Sequence, residues 1–259
     1  MNKPFVIIPA RGGSKGIINK NLQIIFERVL IVRSIIHGQK LVNDDHIVIS
    51  TDSLQIIKEI TKVFKINEFK YSENSITNFG PFLLHFRGEE LASDDSLITE
   101  VLFSIRNLLI EGGRLPGLFC LLQPTSPFRN VNELKTIKEI IDNNSDDNLS
   151  LVSVCLVEDS HPARMYELNK KNILVPLQEY SDYRSARRQD LPPVYIRDGA
   201  FYVMGENLIA KKAQFSDNPK AFVREFPWSI NIDSIGDLLV AQNINRTTIS
   251  FDPNEGDSD

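Results

Sequence analysis

The sequence predicts an α/β fold built on a mainly parallel sheet, and three observations indicate it. Short apolar runs of strand length alternate with segments whose apolar residues recur at helical spacing. The first three of these runs each end in a loop of glycine, proline or polar residues. Strands separated by helices are joined by right-handed crossovers, which favour a parallel sheet with helices on both faces.

The elements follow in a regular order along the chain. Strands are predicted at residues 5–8, 46–50, 117–122, 149–157 and 199–204, and helices at 30–39, 54–63, 96–110, 131–141 and 235–243. A further short strand is expected to end at Asp233. Ligands of such sheets bind beyond the carboxyl ends of the strands. The loops after Ile8, Ser50 and Leu122 are therefore expected to meet at one edge.

Length and composition fit one large domain with an inserted segment. The 259 residues predict a single domain over residues 1–250. The alternation stops around residues 158–193, a polar segment that is interpreted as an inserted arm. This arm contains Tyr166, Tyr180, Tyr183, Arg184, Arg187 and Arg188. The acidic residues 251–259 are predicted to be a disordered tail.

Charge and composition exclude several classes of function. The net charge is −5 and no long basic run occurs, which argues against a nucleic-acid polymer as partner. No apolar stretch approaches the roughly 20 residues that span a bilayer, and no leader peptide is recognised, so the chain is expected in the cytoplasm. Cys120 and Cys155 lie in apolar runs and are expected to be buried thiols. The four histidines share no metal-ligand or triad spacing.

The most informative segment is the glycine loop, which we define as residues 10–16. Its sequence is Ala10-Arg-Gly-Gly-Ser-Lys-Gly16, and Lys20 follows it. Glycines let the backbone approach a ligand closely, successive N–H groups form anion-binding concavities, and arginine and lysine bind phosphate. The spacing matches neither the P-loop motif nor the dinucleotide fingerprint. Two interpretations remain at this point, a polyphosphate site and an ordinary surface turn.

Several ordered motifs extend this signal over most of the chain. Ile8-Pro-Ala-Arg-Gly-Gly-Ser-Lys-Gly-Ile17 followed by Lys20-Asn21 resembles the opening of the CMP-N-acylneuraminate synthetase family. Further blocks that resemble this family are Val48-Ile-Ser-Thr-Asp52, Glu90-Leu-Ala-Ser-Asp94, Leu122-Gln-Pro-Thr-Ser-Pro-Phe-Arg129, Arg188-Gln-Asp-Leu-Pro192, Asp198-Gly-Ala-Phe-Tyr202 and Ile230-Asn-Ile-Asp233. They span roughly residues 5 to 243 in the family's order.

The resemblance implies a fold, a reaction and partners. The fold is a three-layer Rossmann-like nucleotidyltransferase fold whose inserted arm is used for dimerisation. The reaction joins CTP to an acidic 2-keto nonulosonic sugar such as sialic acid, giving the CMP-sugar and pyrophosphate. Catalysis would rest mainly on positioning and charge stabilisation, with Mg²⁺ or another divalent cation. A homodimer is implied, with the arm crossing to the partner's sugar site.

The resemblance also assigns roles to individual residues. The catalytic set it implies is Arg11, Lys15, Lys20 and Asp233. The nucleotide-binding set is Ala10, Arg11, Gly12, Gly13, Ser14, Lys15, Asn21, Ser93 and Asp94. The sugar-binding set is Gln123, Thr125, Ser126, Arg188 and Tyr202. Asp233 is the main metal candidate, with Asn231 and Asp237 as weaker ones. For Ser93 and Asp94 a second interpretation is a cap of the helix predicted from Ser96.

Two positions depart from the family's pattern. Asn231 stands where the family has an aspartate, so one carboxylate fewer is offered to a metal. Asp198 stands where the family has an asparagine, which places a negative charge near a site for acidic sugars. Three explanations stay open for Asp198: it points away from the site, it pairs with Arg197, or it marks an altered substrate.

Two alternatives to the main hypothesis remain open from the sequence. The first keeps the fold and changes the substrate to a CMP-Kdo type sugar, legionaminic or pseudaminic acid, or to GTP. The second is a catalytically weak relative that binds nucleotide or sugar. Asn231 and Asp198 motivate the second alternative, whereas the cations Arg11, Lys15 and Lys20 argue against it.

Overall fold

The computed structural model describes residues 2–13, 16–93, 95–157 and 160–244, and an eight-stranded sheet lies at its centre. The strands are β1 (Lys3–Pro9), β2 (Ile24–Ile25), β3 (Arg28–Val29), β4 (Ile47–Thr51), β5 (Ser75–Phe79), β6 (Phe82–Phe86), β7 (Pro116–Leu121), β8 (Ser150–Leu156), β9 (Tyr166–Leu168), β10 (Leu174–Pro176), β11 (Tyr195–Gly205) and β12 (Lys220–Arg224). The helices are α1 (Leu30–Gln39), α2 (Leu54–Val63), α3 (Glu89–Ala92), α4 (Ile98–Glu111), α5 (Val131–Asn143), α6 (Glu206–Ala210) and α7 (Ile235–Asn243).

The central sheet has the strand order β12-β8-β11-β7-β1-β4-β6-β5. The pairs β1–β4, β1–β7, β4–β6 and β8–β12 are parallel. Strand β11 runs antiparallel to both of its neighbours, and β5 forms an antiparallel hairpin with β6. The predicted α/β class with a mainly parallel sheet is confirmed.

Helices cover both faces of the sheet and give three layers. On one face, α1, α2 and α5 contribute buried side chains such as Ile35, Ile57 and Ile137 to one hydrophobic cluster with the strands. On the other face, α4 and α6 contribute Leu102 and Ile209 to a second cluster. Each large aliphatic side chain buried in this way contributes about 1.5–3 kcal/mol of hydrophobic stabilisation.

The helix boundaries agree closely with those predicted from the sequence, whereas one predicted strand is wrong. Helices α1, α2 and α7 begin and end where the periodicity predicts. Residues 230–233 form no strand, because the N–H of Ile232 donates to the carbonyl of Thr125 at 2.7 Å instead of to a neighbouring strand. Helix α4 begins at Ile98 with Leu97 as its N-cap and no side-chain bond there, so Ser93 is not its cap.

A bulge interrupts β11 beside the Asp198 position. Arg197 lies opposite Val154 and Tyr202 lies opposite Val152, so residues 198–201 face Ser153 alone. The Ser153 hydroxyl donates to the Asp198 carboxylate at 2.5 Å and accepts from the N–H of Phe201 at 2.8 Å. Bulges re-aim side chains and leave main-chain groups unpaired in the ladder. Here those groups bond to side chains.

The arm contains little regular structure within the described residues 160–193. A short antiparallel pair, β9–β10, is followed by 3₁₀ turns at Gln178–Tyr183 and Arg188–Asp190. Apolar side chains that it leaves exposed are Met165, Tyr166, Leu168, Ile173, Leu174, Val175 and Tyr183. The first arm position, Glu158, and the predicted acidic tail lie outside the described residues.

Two further features bear on the predictions from composition. Within the described ranges, no helix combines the length and hydropathy needed to cross a membrane. Cys120 is fully buried, as predicted, and burial raises the pKa of its thiol to about 12. Cys155 is only partly buried, and burial raises the pKa of its thiol as well.

Candidate active site

A cleft of about 420 Å³ opens beyond the carboxyl end of β1. It is lined by Pro9, Arg11, Gly16, Lys20, Asn21, Arg87, Leu91, Ser93, Ser96, Ile98, Val101, Gln123, Pro124 and Thr125. The loop after β4 joins them, because the Asp52 carboxylate accepts from the N–H of Gly12 at 2.8 Å. The predicted meeting of the three strand-end loops at one edge is confirmed.

The glycine loop is held by neighbouring side chains. The amide of Asn21 donates to the Arg11 carbonyl at 2.9 Å. A Cβ atom at Gly12 would lie 2.8 Å from Cβ of Ser53, so only glycine lets the loop approach α2 this closely. The N–H of Gly12 is already bonded to Asp52, which leaves it unable to bind a phosphate in this arrangement.

Several of the predicted nucleotide-binding residues lie at the side of the cleft formed by the glycine loop. Arg11, Asn21 and Ser93 line it, and an Arg11 guanidinium nitrogen lies 3.5 Å from the Ser93 carbonyl. Ala10 is buried just behind it, and a Cβ atom at Gly13 would meet open space. The predicted residues that lie outside the described part of the chain are Ser14, Lys15 and Asp94.

Arg87 lines the cleft and was not predicted from the sequence. Its Nε donates to the Ser50 hydroxyl at 2.8 Å, and its Nη2 donates to the Ser50 carbonyl at 3.1 Å. Burial lowers the pKa of Arg87 to about 10, with Arg11 adding to the effect and Asp52 opposing it. The guanidinium is therefore still charged at neutral pH. With Arg11 and Lys20 it makes three cations along one cleft.

Arg87 is linked through the Ser50 hydroxyl to His85, a buried and neutral histidine. The Ser50 hydroxyl accepts from Arg87, so its own proton is available for Nδ1 of His85 at 2.9 Å. Burial, and then the charge of Arg87, lower the pKa of His85 to about 3. Nε2 of His85 then bears the ring proton, and it has no hydrogen-bond partner among the described atoms. The chain His85–Ser50–Arg87 therefore depends on an uncharged imidazole.

The opposite side of the cleft is formed by the loop after β7. We call residues 123–130 the acceptor loop. Gln123 and Thr125 line the cleft. Gly199 has φ +78°, and a Cβ there would lie 2.6 Å from Oε1 of Gln123, so glycine leaves room for this amide. Ser126 is fully buried, and its hydroxyl donates to the Asp198 carbonyl at 2.8 Å, which directs it behind the cleft.

The structure decides between the three explanations for Asp198. Its side chain is 0% exposed and accepts from Nη1 of Arg224 at 2.6 Å. Arg197 is not its partner, since that guanidinium lies over the ring of Phe215, 4.8 Å from the centroid. Asp198 therefore points away from the cleft, and its charge is compensated inside the protein.

Two predicted sugar contacts lie away from the cleft of their own chain. Arg188 lines a second cavity of about 380 Å³ at the base of the arm, together with His161 and Pro192. Tyr202 is packed into the hydrophobic cluster beneath α4 and α6, against Phe215. Burial raises the pKa of the Tyr202 phenol. Strand alternation turns this side chain toward the helices instead of toward the acceptor loop.

Asp233 presents an exposed carboxylate at the cleft edge. Its side chain is 69% exposed, whereas that of Lys20 is 15% exposed. Nζ of Lys20 donates to Oδ1 of Asp233 and to the Ile232 carbonyl, both at 3.1 Å. The amide nitrogen of Asn231 donates to Oδ2 of Asp233 at 2.7 Å. Both carboxylate oxygens are thus bonded to donors that a metal ion would replace.

The residues present fit a divalent cation held mainly by its substrate. No group of three histidine, cysteine or acidic side chains within the described residues could enclose a metal. Mg²⁺ is usually bound by one or two protein carboxylates, and substrate phosphates and water supply its other ligands. The exposed carboxylate of Asp233 fits this pattern. Asn231 directs its amide oxygen toward Ser126, at 3.3 Å.

Asp237 is bonded as a helix cap. Its Oδ2 accepts from the N–H and hydroxyl of Ser234 and from the N–H of Asp233, in the capping box of α7. Burial raises the pKa of Asp237, but these hydrogen bonds and the charge of Lys20 outweigh it, so the net pKa is lowered. One of its oxygens is thus already committed to the cap.

A three-layer α/β fold with a cationic cleft at the carboxyl ends of its central strands is typical of Rossmann-like nucleotidyltransferases. The family model described as cytidylyltransferase matches residues 5–238. The chain belongs to the cytidylyltransferase family, and it is a nucleotidyltransferase enzyme.

Characterised relatives are similar over most of the chain. It is 26% identical to CMP-N,N'-diacetyllegionaminic acid synthase of Legionella pneumophila, covering 93% of this chain and 95% of that protein. It is 30% identical to pseudaminic acid cytidylyltransferase of Campylobacter jejuni, covering 93% and 95%. It is 27% identical to N-acylneuraminate cytidylyltransferase of Streptococcus agalactiae, covering 92% of this chain and 52% of that protein. The chain thus spans about half the length of the streptococcal relative.

Solved structures support the fold assignment. CMP:2-keto-3-deoxy-manno-octonic acid synthetase complexed with CTP superposes with a TM-score of 0.58 at 13% identity, covering 94% of this chain and all of that one. 4-Diphosphocytidyl-2C-methyl-D-erythritol synthase from Anaerococcus prevotii superposes with a TM-score of 0.54 at 14% identity, covering 93% and 95%. At these identities the likeness shows the fold alone.

Proposed function

We propose that this chain transfers CMP from CTP to the anomeric hydroxyl of an acidic 2-keto nonulosonic sugar. The hydroxyl oxygen forms a bond to the α-phosphorus of CTP, and the bond from that phosphorus to the β-phosphate oxygen breaks. The products are the CMP-sugar, pyrophosphate and the proton of the hydroxyl. One observation supports this most directly: a single cleft has three cations on one side, neutral hydrogen-bonding groups on the other, and a carboxylate at its edge.

The side of the cleft formed by Arg11, Lys20 and Arg87 suits the triphosphate. Arginine binds phosphate oxygens in a bidentate manner, and lysine acts as a compact point charge. Charge on the departing pyrophosphate grows during transfer, so fixed cations stabilise the transition state more than the bound substrate. His85 and Ser50 hold Arg87 in place before the ligand arrives.

A divalent cation such as Mg²⁺ is proposed on Asp233. When bound, the ion neutralises charge on the phosphates. Lys20 already bonds both Asp233 and the carbonyl of Ile232, so its ammonium lies where the phosphates and the carboxylate meet. Asn231 can turn its amide oxygen toward a cation without adding charge. The Asp237 carboxylate supports Asp233 by accepting a hydrogen bond from the main-chain N–H of Asp233.

The acceptor loop is proposed to bind the sugar. The amide of Gln123 can both donate to and accept from hydroxyl groups, and Thr125 contributes a further hydroxyl to the cleft. The relatives' names report legionaminic, pseudaminic and N-acylneuraminic acids, all acidic nonulosonic sugars. The sugar class proposed here is the one that these names share.

A homodimer is proposed because Arg188 lies away from the cleft of its own chain. The arm exposes a run of apolar side chains, which is typical of protein interfaces. In a dimer, the arm of one chain would bring Arg188 to the sugar carboxylate bound by the other. Light scattering of the purified chain tests this: a monomer with full activity would overturn it.

The proposed cell compartment and binding partners follow from the substrates. CTP is a cytoplasmic nucleotide, so the reaction is assigned to the cytoplasm. The partners proposed are CTP, the sugar, a divalent cation and a second copy of the chain, with no nucleic-acid polymer. The net charge of −5 supports this, because polymer binding is dominated by basic surface.

A substrate panel tests the reaction. Purified protein is given each nucleoside triphosphate with Mg²⁺ and either a nonulosonic acid or Kdo, and pyrophosphate release is followed. We expect release with CTP and at least one nonulosonic acid. Release only with GTP would overturn the base assignment, and release only with Kdo would overturn the sugar class. No release with any pair, alongside measurable CTP binding, would favour a catalytically weak binding relative.

A further inference from the structure

A cluster of buried ions lies behind the acceptor loop. It consists of Arg224, Asp198 and Glu133, and we call it the Arg224 cluster. The Arg224 side chain is 0% exposed and bonds Asp198 at 2.6 Å and Glu133 at 2.9 Å. A charge taken out of water is destabilising unless it is paired and its hydrogen bonds are satisfied. Asp198 meets that need through Arg224, Ser153 and the N–H of Ala200.

Arg224 also bonds the main chain of two segments that border the cleft. Its Nη2 donates to the Phe128 carbonyl, at the end of the acceptor loop, at 2.5 Å. The same nitrogen donates to the Trp228 carbonyl at 2.7 Å. Trp228 begins the stretch that leads to Asn231 and Asp233. One guanidinium thus joins the sugar side of the cleft to the segment with the metal candidate.

The cluster reaches the residues that line the cleft through Asp198 and its neighbour. The Asp198 carbonyl accepts from the Ser126 hydroxyl, inside the acceptor loop. Gly199, next in sequence, lies so close to Gln123 that any Cβ would contact its Oε1. A displacement of the bulge at residues 198–201 would therefore move the Gln123 amide. Arg224 itself lies behind these groups and does not line the cleft.

We propose that Arg224 is a positioning residue for sugar recognition, acting through Asp198 on the acceptor loop. This proposal rests on the proposed function. It also explains why an aspartate is tolerated at position 198. A buried aspartate needs a buried cation, whereas the asparagine that the CMP-N-acylneuraminate synthetase family has at this position is neutral and needs none. A charged Asp198 therefore requires Arg224, whereas Arg224 retains Glu133 as a second anionic partner. The nucleotide side, which Arg224 does not contact, is predicted to be independent of it.

The first test replaces Arg224 by methionine, which keeps much of its volume. We expect the KM for the sugar to rise about tenfold and the KM for CTP to change less than about twofold. The matched control is Arg106→Met, which removes a partly buried ion pair with Glu206 between α4 and α6. This control should lower the melting temperature without affecting the ratio of the two KM values. Equal increases in both KM values for Arg224→Met would overturn the positioning role.

The second test is rescue of the charge pairing. In the double variant D198N/R224M no carboxylate at 198 is left unpaired, although Glu133 still loses its cation and the bonds to Phe128 and Trp228 are still lost. We expect its sugar KM to lie between wild type and R224M, about threefold above wild type. A double variant no better than R224M would overturn the pairing, and wild-type sugar KM in both would overturn the positioning. If R224M is insoluble, recovery of solubility in the double variant supports the pairing, and its sugar KM tests the positioning.

A readout without catalysis separates this proposal from the proposed function. Trp228 is the single tryptophan of the chain, and its carbonyl is bonded by Arg224. We expect R224M to shift the tryptophan emission, D198N/R224M to shift it less, and R106M to leave it unchanged. If wild-type protein releases no pyrophosphate with any substrate pair while these shifts occur, the proposed function fails and the structural role of Arg224 stands. Unchanged emission in R224M would overturn that role whatever the activity.

Discussion

The two sides of the cleft are built on different principles. On the side proposed to bind the nucleotide, Arg11, Lys20 and Arg87 line the cleft, and nearby oxygens of Ser93, Ile232 and Ser50 hold them. On the side proposed to bind the sugar, neutral groups of the acceptor loop line the cleft. Charges on that side are buried, in the Arg224 cluster behind the loop and in Arg129 of the loop itself.

This difference separates two ways of using charge. Cations that face a ligand bind its anionic groups, so their loss weakens binding and transition-state stabilisation directly. Ions buried behind a loop fix its position, so their loss changes geometry and leaves the polar groups in place. The same kind of substitution should therefore have different kinetic signatures on the two sides. The predictions below test that distinction, from the largest effect on activity to the smallest.

Lys20→Ala is expected to lower kcat/KM about 100- to 1000-fold, because it removes a cation that faces the transferring phosphates. The fold should change little, since the partly exposed pair with Asp233 contributes at most about 1 kcal/mol. Steady-state kinetics and thermal unfolding measure the two effects. The control is Lys62→Ala on the exposed surface of α2. Activity of Lys20→Ala within threefold of wild type would remove Lys20 from catalysis.

Substitutions at the cleft edge test the metal site. Asp233→Asn should raise the Mg²⁺ concentration for half-maximal activity at least about tenfold, because the exposed carboxylate proposed to hold the cation is lost. Asn231→Asp should leave activity unchanged or improve it, and its melting temperature should rise on adding Mg²⁺ and fall without it. The two carboxylates repel until a cation lies between them. Metal-independent activity in Asp233→Asn would contradict this assignment.

Gly199→Ala is expected to raise the sugar KM about tenfold and leave the CTP KM unchanged, because the added Cβ displaces the Gln123 amide. The positive φ also costs about 1–2 kcal/mol of stability. Gly113→Ala is a matched control: its φ is +75°, but nothing lies within 4 Å of the added Cβ. If both variants change the sugar KM equally, the effect is general strain and not the contact with Gln123.

The smallest effect on activity is expected at His85, which acts on stability through pH. Its pKa is lowered from 6.5 to about 3, so below pH 6.5 the unfolded chain binds a proton that the folded chain does not. Stability should therefore fall as pH drops from about 6.5 toward 3, by up to about 1.4 kcal/mol per pH unit. His85→Gln should flatten this slope in urea unfolding between pH 4.5 and 7.

His46→Gln is the control for this measurement. The pKa of His46 is also lowered by burial, although Asp45 opposes the change, so its contribution has the same sign. We expect a smaller flattening from this variant. A slope for His85→Gln equal to that of wild type would show that His85 is not the group that titrates.

Much of the fold follows from local pattern, and its exceptions have physical causes. Strands β1, β4 and β7 each contain an uninterrupted run of buried apolar residues, so short apolar runs predict them. Strand β6 was missed because His85, buried and neutral, interrupts its apolar run. Strand β12 begins with a lysine and lies at the sheet edge, where pattern is weak.

The candidate site was predictable only where its residues lie close together in sequence. Arg11 and Lys20 lie close together in sequence, and both line the cleft. Arg87 follows the strand that was missed, so nothing placed it at a strand end. Asp198 was recognised as unusual, but its partner Arg224 lies 26 residues later and no local pattern joins them. Such pairings form only when β11 and β12 come to lie on either side of β8.

The bulge in β11 has a consequence for how the acceptor could change during evolution. Because residues 198–201 bond to side chains and not to the main chain of the neighbouring strand β8, this stretch can be reshaped without shifting the register of the sheet. A lineage can then exchange one acidic sugar for another by substitutions here and in the acceptor loop. In the glycine loop, by contrast, Gly12 is packed so closely against Ser53 that a side chain at this position would displace the loop. The fold thus joins a loop with a sterically restricted glycine to a bulge that can change its shape within an unchanged sheet.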